Sequence, residues 1–133
     1  MSVLGTGVDA VDVDRFRTIL ERRPTIKRRL FTASEREYAE RSGDPAIRFA
    51  ARFAAKEAAL KALGVGIGAA RFCDIEVTRN TDGAPAFALH GDAAFLAQKK
   101  GVEHWHLSLT HTHTVAVASA IAEGPDPAEG RES

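Results

Sequence analysis

The chain has 133 residues with 18 basic and 18 acidic side chains, and a formal net charge of zero excludes a general electrostatic attraction to nucleic acid or to an anionic membrane. Hydrophobic residues make up 44% and charged residues 27%, the balance of an ordinary globular protein, and the length suits one compact core instead of two. Cys73 is the only cysteine, so no intramolecular disulfide can form. The first residues lack a signal-peptide pattern and no apolar run approaches the ~20 residues of a membrane span, which makes the cytoplasm the expected compartment.

Residues 3–9 predict a short strand, with Val3, Leu4 and Val8 among Gly5 and Gly7, ending in the carboxylate of Asp9. An amphipathic helix is expected over 12–23, where Val13, Phe16, Ile19 and Leu20 recur at helical spacing and Pro24 stops the run. Over residues 14–29, Arg15, Arg17, Arg22, Arg23, Lys27, Arg28 and Arg29 stand against only Asp14 and Glu21, a face suited to an acidic partner or simply to water. Thr32 and Glu35 form a capping box that opens a short helix ending near Gly43. Asp44 and Pro45 supply an N-cap and a first-turn proline for the longest helix, 45–63, with Gly64 as its stop. Seven alanines between Ala46 and Ala59, with Ala62 after them, allow other elements to approach this helix closely.

A glycine-rich loop follows, with Gly64, Gly66 and Gly68. Residues 72–79 alternate, placing Cys73, Ile75 and Val77 on one side of a predicted strand. Residues 80–85 carry turn chemistry, and 86–90 return as the second strand of a hairpin. A helix over 92–100 closed by Gly101, a strand over 104–110 with Trp105, Leu107 and Leu109 on one face, a tight connection at 112–114 and a nearly all-apolar strand over 115–122 complete a single domain of residues 1–123. Residues 124–133, rich in Pro, Gly and charge, are expected to be a disordered tail. The fold class is α+β: a small, mainly antiparallel sheet packed with helices.

The chemistry-bearing candidates are few. Asp9 ends an apolar strand, where it either faces a cleft or begins the turn into the next helix. Glu57 lies on the alanine-rich helix, where a carboxylate is costly unless paired or metal-bound; Lys61, four residues on, is at the favourable spacing for an ion pair. Arg52, Lys56 and Lys61 on the same helix either bind phosphate or are solvated. The glycine loop follows a helix, so it is no dinucleotide fingerprint. His104 and His106 share a strand face, with His111 and His113 close behind, a loose pattern for zinc. Cys73 reads as a buried, inert thiol.

The order of these segments carries a resemblance. Gly7-Val8-Asp9, Phe31-Thr32 with Glu35, Arg52-Phe-Ala-Ala-Lys-Glu57-Ala, Lys61-Ala-Leu-Gly-Val-Gly-Ile-Gly68, Asp74-Ile-Glu76-Val, Gly83 with Pro85, and Leu107-Ser-Leu-Thr-His111-Thr together resemble the holo-acyl-carrier-protein synthase family of phosphopantetheinyl transferases over roughly residues 3–122. Departures are modest: Ala10 stands where a larger aliphatic is usual, and Leu60 where an aromatic is common.

The resemblance implies a phosphopantetheinyl-transferase-like fold and transfer of 4′-phosphopantetheine from coenzyme A to a serine of an apo-acyl-carrier protein, with Mg²⁺ as cofactor. It implies Asp9 and Glu57 as magnesium ligands and catalytic groups, and Lys61 as the phosphate-binding lysine. It places Gly64, Gly66 and His111 near coenzyme A, sets Arg15 and Arg22 against the acidic carrier protein, and implies a homotrimer with sites at subunit interfaces. Two rivals remain at this stage: a zinc hydrolase built on the histidines, and a module that binds coenzyme A or carrier protein without turnover.

Overall fold

The computed structural model describes residues 1–126. β1 (Ser2–Asp12) runs antiparallel to β5 (Val115–Gly124), which pairs on its other edge with β4 (His104–His111), giving the order β1-β5-β4. β2 (Ile75–Arg79) and β3 (Pro85–Leu89) form a separate antiparallel hairpin. The helices are α1 (Val13–Arg22), α2 (Ile26–Leu30), α3 (Ala33–Glu40), α4 (Pro45–Ala62) and α5 (Gly91–Lys100).

α4 is the centre of the molecule. Every second residue of β5, Ala116, Ala118, Ala120 and Ala122, is fully buried, and the last three pack with Ala54, Ala55, Ala58 and Ala62 of the helix. With methyl groups on both surfaces, helix and sheet come unusually close. Gly5 and Gly7 show how close: a Cβ on Gly5 would lie 1.8 Å from the Ala62 carbonyl oxygen, and one on Gly7 would lie 1.9 Å from that of Ala58. The opposite side of α4 is covered by aromatic rings, Phe16 against Phe53 at 5.0 Å and Phe31 against Phe49 at 4.9 Å.

Local signals act largely as their chemistry dictates. Asp12 caps α1 by accepting from the Arg15 backbone N–H at 2.9 Å. The capping box forms, Glu35 N–H donating to Thr32 Oγ1 and Thr32 N–H to Glu35 Oε1. Gly101 ends α5 in the left-handed region, φ 87°.

Five expectations need correcting. Asp44 precedes α4 but does not cap it, because Arg17 takes both carboxylate oxygens at 2.6 and 3.0 Å. Ile19 is exposed, leaving Val13, Phe16 and Leu20 as the buried stripe of α1. α2 was not anticipated; five residues, three of them basic, show no periodicity. Residues 72–74 are a 3₁₀ turn and the strand begins only at Ile75, which takes Cys73 out of the inward alternation. Gly124, where a tail was expected to begin, is instead the last residue of β5 and is buried. Beyond Asp126, the expected tail lies outside the described residues.

Candidate active site

Four helix residues rise about 6 Å and two strand residues about 6.7 Å, so β1 and α4 stay nearly in step as they cross. Gly5 meets Ala62 and Gly7 meets Ala58. The next residue of that row, Asp9, therefore falls about one helical turn further along, level with Ala54, and Glu57 in the turn between Ala54 and Ala58 lines the same cleft. The two carboxylates share an open cleft of about 350 Å³ with Lys61, Arg15, Phe16 and Phe53.

Lys61 reaches across to β1 and not back along the helix. Its Nζ donates to the Val8 carbonyl at 2.9 Å and to Asp9 Oδ1 at 3.2 Å. The helical Glu57–Lys61 ion pair is absent among the described residues. Burial pushes the Glu57 carboxyl above the usual glutamate range, the negative charge of Asp9 adds to that, and Lys61 works against it. A carboxylate held beside another carboxylate, partly out of water, is stabilised by added positive charge. Asp9 and Glu57 offer hard oxygen donors, and with substrate phosphate oxygens and water they fit Mg²⁺.

The other predicted residues lie at varying distances from this cleft. Arg15 is on its rim, and Arg22 is exposed two helical turns along α1. Gly64 lies just past Lys61 at the end of α4, with φ 72°, and its N–H donates to the Lys61 carbonyl at 3.0 Å. Gly66 is exposed with open space around it. His111 is separated from the cleft: it ends β4 opposite Ala116, and β5 lies between its strand and the strand of Asp9. Phe53 was visible in sequence as a neighbour of Glu57 one turn away, but its role as a wall of the cleft was not.

Two basic residues of α4 differ from both sequence readings. Lys56 is fully buried in an ion pair with Glu35 at 2.8 Å. Arg52 is buried over the Tyr38 ring, 4.1 Å from its centroid, and its Nε is a buried donor without a partner among the described residues. Cys73 is half-buried in the 3₁₀ turn with Sγ 3.3 Å from the Arg29 carbonyl, and burial pushes its thiol up. His106 lies 3.3 Å from Glu123. Among the described residues, no group of three or more His, Cys, Asp or Glu is placed to hold a metal ion.

Comparison with known proteins shows the family and fold that this chain resembles. Residues 5–118 match the model of the 4′-phosphopantetheinyl transferase superfamily. A holo-[acyl-carrier-protein] synthase of Frankia casuarinae is 50% identical over 123 residues, covering 92% of this chain and 99% of that protein. The crystal structure of the Neisseria meningitidis holo-[acyl-carrier-protein] synthase superposes with a TM-score of 0.84 at 29% identity, covering 92% of this chain and 99% of the other. The Bacillus anthracis synthase in complex with CoA (3′,5′-ADP) gives 0.77 at 31% identity, covering 92% and 98%.

Proposed function

The chain belongs to the 4′-phosphopantetheinyl transferase superfamily, and from that membership we propose how its cleft carries the reaction. The enzyme transfers the 4′-phosphopantetheine group from coenzyme A to a serine of an apo-acyl-carrier protein, releasing adenosine 3′,5′-bisphosphate. The observation that carries the assignment of roles is the convergence of Asp9 from β1, Glu57 from α4 and the Lys61 ammonium in one cleft.

The serine Oγ attacks the β-phosphorus, an Oγ–P bond forms, and the bond to the bridging pyrophosphate oxygen breaks. The electron pair leaves on the 5′-phosphate of adenosine 3′,5′-bisphosphate. Such chemistry depends on positioning and on neutralising charge at the phosphate oxygens. When bound by Asp9 and Glu57, Mg²⁺ supplies much of that neutralisation. Lys61 supplies more, and its bonds to Val8 and Asp9 hold the ammonium at the mouth of the cleft. The acceptor proposed for the serine proton is Glu57, which lines the cleft, or a water held there.

Arg15, on the rim, and Arg22, two turns away, form the surface proposed to dock the acidic carrier protein. Gly64 and Gly66 form the loop proposed to lie against coenzyme A. His111 is set apart from the strand of Asp9 by the width of β5. This supports a homotrimer in which one subunit's His111 approaches coenzyme A bound in another's cleft; sedimentation is expected to give a trimer. No helix among the described residues is long and apolar enough to cross a membrane, and the proposed location is the cytoplasm.

The test is direct. Purified protein, coenzyme A, Mg²⁺ and an apo-acyl-carrier protein are incubated, and the carrier is weighed by mass spectrometry. A gain of one phosphopantetheine on its serine, absent when Mg²⁺ is chelated, is expected. An unmodified carrier under conditions where coenzyme A binds would leave a binding module in place of an enzyme.

A further inference from the structure

Lys56 precedes Glu57 on α4, yet it points away from the cleft into the core with none of its side chain exposed. Its ammonium has three N–H bonds, and each finds an acceptor: Glu35 Oε1 at 2.8 Å, the Phe72 carbonyl at 2.9 Å and the Ile75 carbonyl at 2.8 Å. Glu35 is equally engaged, its Oε1 also accepting from the Thr32 N–H at 2.9 Å and its Oε2 from the Val77 N–H at 3.0 Å. One closed network thus ties α3, α4, the 3₁₀ turn and β2 together.

A buried ion pair is weak evidence for stability alone, because well-packed apolar residues often do as well. Direction is what this pair adds. Phe72 and Ile75 frame the 3₁₀ turn at the exit of the glycine loop. Between Val65 and Arg71 the loop has one internal backbone bond, Ala69 N–H to Gly66 O at 3.2 Å, and residues 66–69 are exposed. Residues 66–69 are therefore positioned by the loop's two ends, and both are held by α4, the exit also through Ala70 buried with Ala59, Leu60 and Ala93. The entry continues the helix past Lys61, where Gly64 N–H donates to the Lys61 carbonyl. The exit hangs from Lys56, about 7.5 Å back along the helix axis from Lys61. A second connection runs to the cleft: the Phe72 ring stacks on Phe53 at 5.4 Å, and Phe53 forms a wall beside Glu57.

We infer that Lys56, with Glu35 as its counter-ion, is a positioning residue that fixes the exit of the glycine loop and the Phe53 wall relative to Glu57, and so governs coenzyme A affinity more than turnover. The effect on affinity rests on the reading that this loop lies against coenzyme A; the effect on the loop does not. The ammonium touches no reacting atom and acts through Phe72 and Ile75.

Two variants test this, Lys56→Met and the milder Glu35→Gln, each measured by amide hydrogen exchange of the ligand-free protein and by steady-state kinetics. In at least the milder variant, exchange of the hydrogen-bonded amides within residues 64–72, those of Gly64, Val65 and Ala69, should quicken about tenfold while that of β1 and β5 stays near wild type. KM for coenzyme A should rise about tenfold, with kcat and the KM for carrier protein within about twofold of wild type. Exchange that quickens uniformly along the chain, or not at all, overturns the inference and leaves the pair a plain stabiliser. Local loosening of 64–72 with an unchanged KM for coenzyme A upholds the positioning of the loop and refutes instead the reading that the loop meets coenzyme A.

Discussion

Replacing Gly7 by alanine should damage both stability and chemistry, and the structure sets the scale. The new Cβ would lie 1.9 Å from the Ala58 carbonyl oxygen, whereas ordinary contact begins at 3.4 Å. Neither side can yield by a rotamer change. Ala58 O is helix backbone, and Gly7 is locked in the β1–β5 ladder opposite Ala120. β1 must therefore move off α4 by about 1.5 Å, an overpacking that costs about 1–3 kcal/mol and lowers Tm by roughly 3–15 °C in a chain of this size. Asp9 moves with the strand. The Lys61 bonds to Val8 and Asp9, at 2.9 and 3.2 Å, do not survive such a displacement. A shift on the order of 1 Å at a reacting centre lowers turnover about 10²-fold. Thermal unfolding followed by circular dichroism and carrier-protein mass gain check the two effects separately. Gly5→Ala is the control: its Cβ would lie 1.8 Å from Ala62 O, so the melting loss should be similar, but the clash is two residues further from Asp9 and turnover should fall less. A Gly7→Ala enzyme with wild-type Tm and turnover would refute the claim that this contact sets the carboxylate geometry.

Asp9→Ala and Glu57→Ala should each remove nearly all transfer while the protein stays folded, judged by turnover across a Mg²⁺ titration with circular dichroism alongside; near-normal Asp9→Ala turnover at limiting Mg²⁺ sinks the metal assignment. Because Glu57 binds its proton more tightly folded than unfolded, its ionisation draws on stability: the contribution is complete below the unfolded glutamate pKa and lost as pH rises through the folded one. In chelator-treated protein, Glu57→Gln should therefore gain stability over wild type as pH rises from 4 towards 7, read from urea midpoints, and a constant difference across that range contradicts the shift. Arg15→Glu with Arg22→Glu should raise the KM for carrier protein and leave that for coenzyme A unchanged, with native carrier affinity falling as salt rises; equal effects on both substrates rule out the docking surface.

Much of the site was legible because its residues lie in short contiguous segments whose chemistry is local. Asp9 belongs to a strand pattern, although the strand expected to end there runs on to Asp12, Glu57 and Lys61 share one helix, and the capping box at Thr32 and Glu35 depends only on neighbours. What escaped was set by distant partners. Period-two alternation of Cys73, Ile75 and Val77 suggested one continuous strand, but the Lys56 ammonium takes the Phe72 and Ile75 carbonyls and the first three residues turn instead. Lys56 and Arg52 looked like surface or phosphate-binding cations because nothing near them in sequence names Glu35 or Tyr38 as their partners. Asp44 carried a sound capping signal that Arg17, 27 residues away, diverts. His111 sits in a family-like segment, yet strand order alone decides that β5 separates it from Asp9.

The alanine seam between β5 and α4 has a thermodynamic and a mechanical consequence. Alanine has no rotamers to surrender, so this contact forms without the side-chain entropy loss that a leucine or methionine interface carries. It also has no rotamers to exchange once formed. The spacing of helix and sheet is then gauged by peptide groups and methyls alone, and side-chain hopping in the seam cannot modulate the gap between Asp9 and Glu57. An added carbon at Gly5 or Gly7 meets helix backbone at once, so side chains that can change conformation without moving this gauge lie at the periphery, in the loop after α4 and on the basic face of α1.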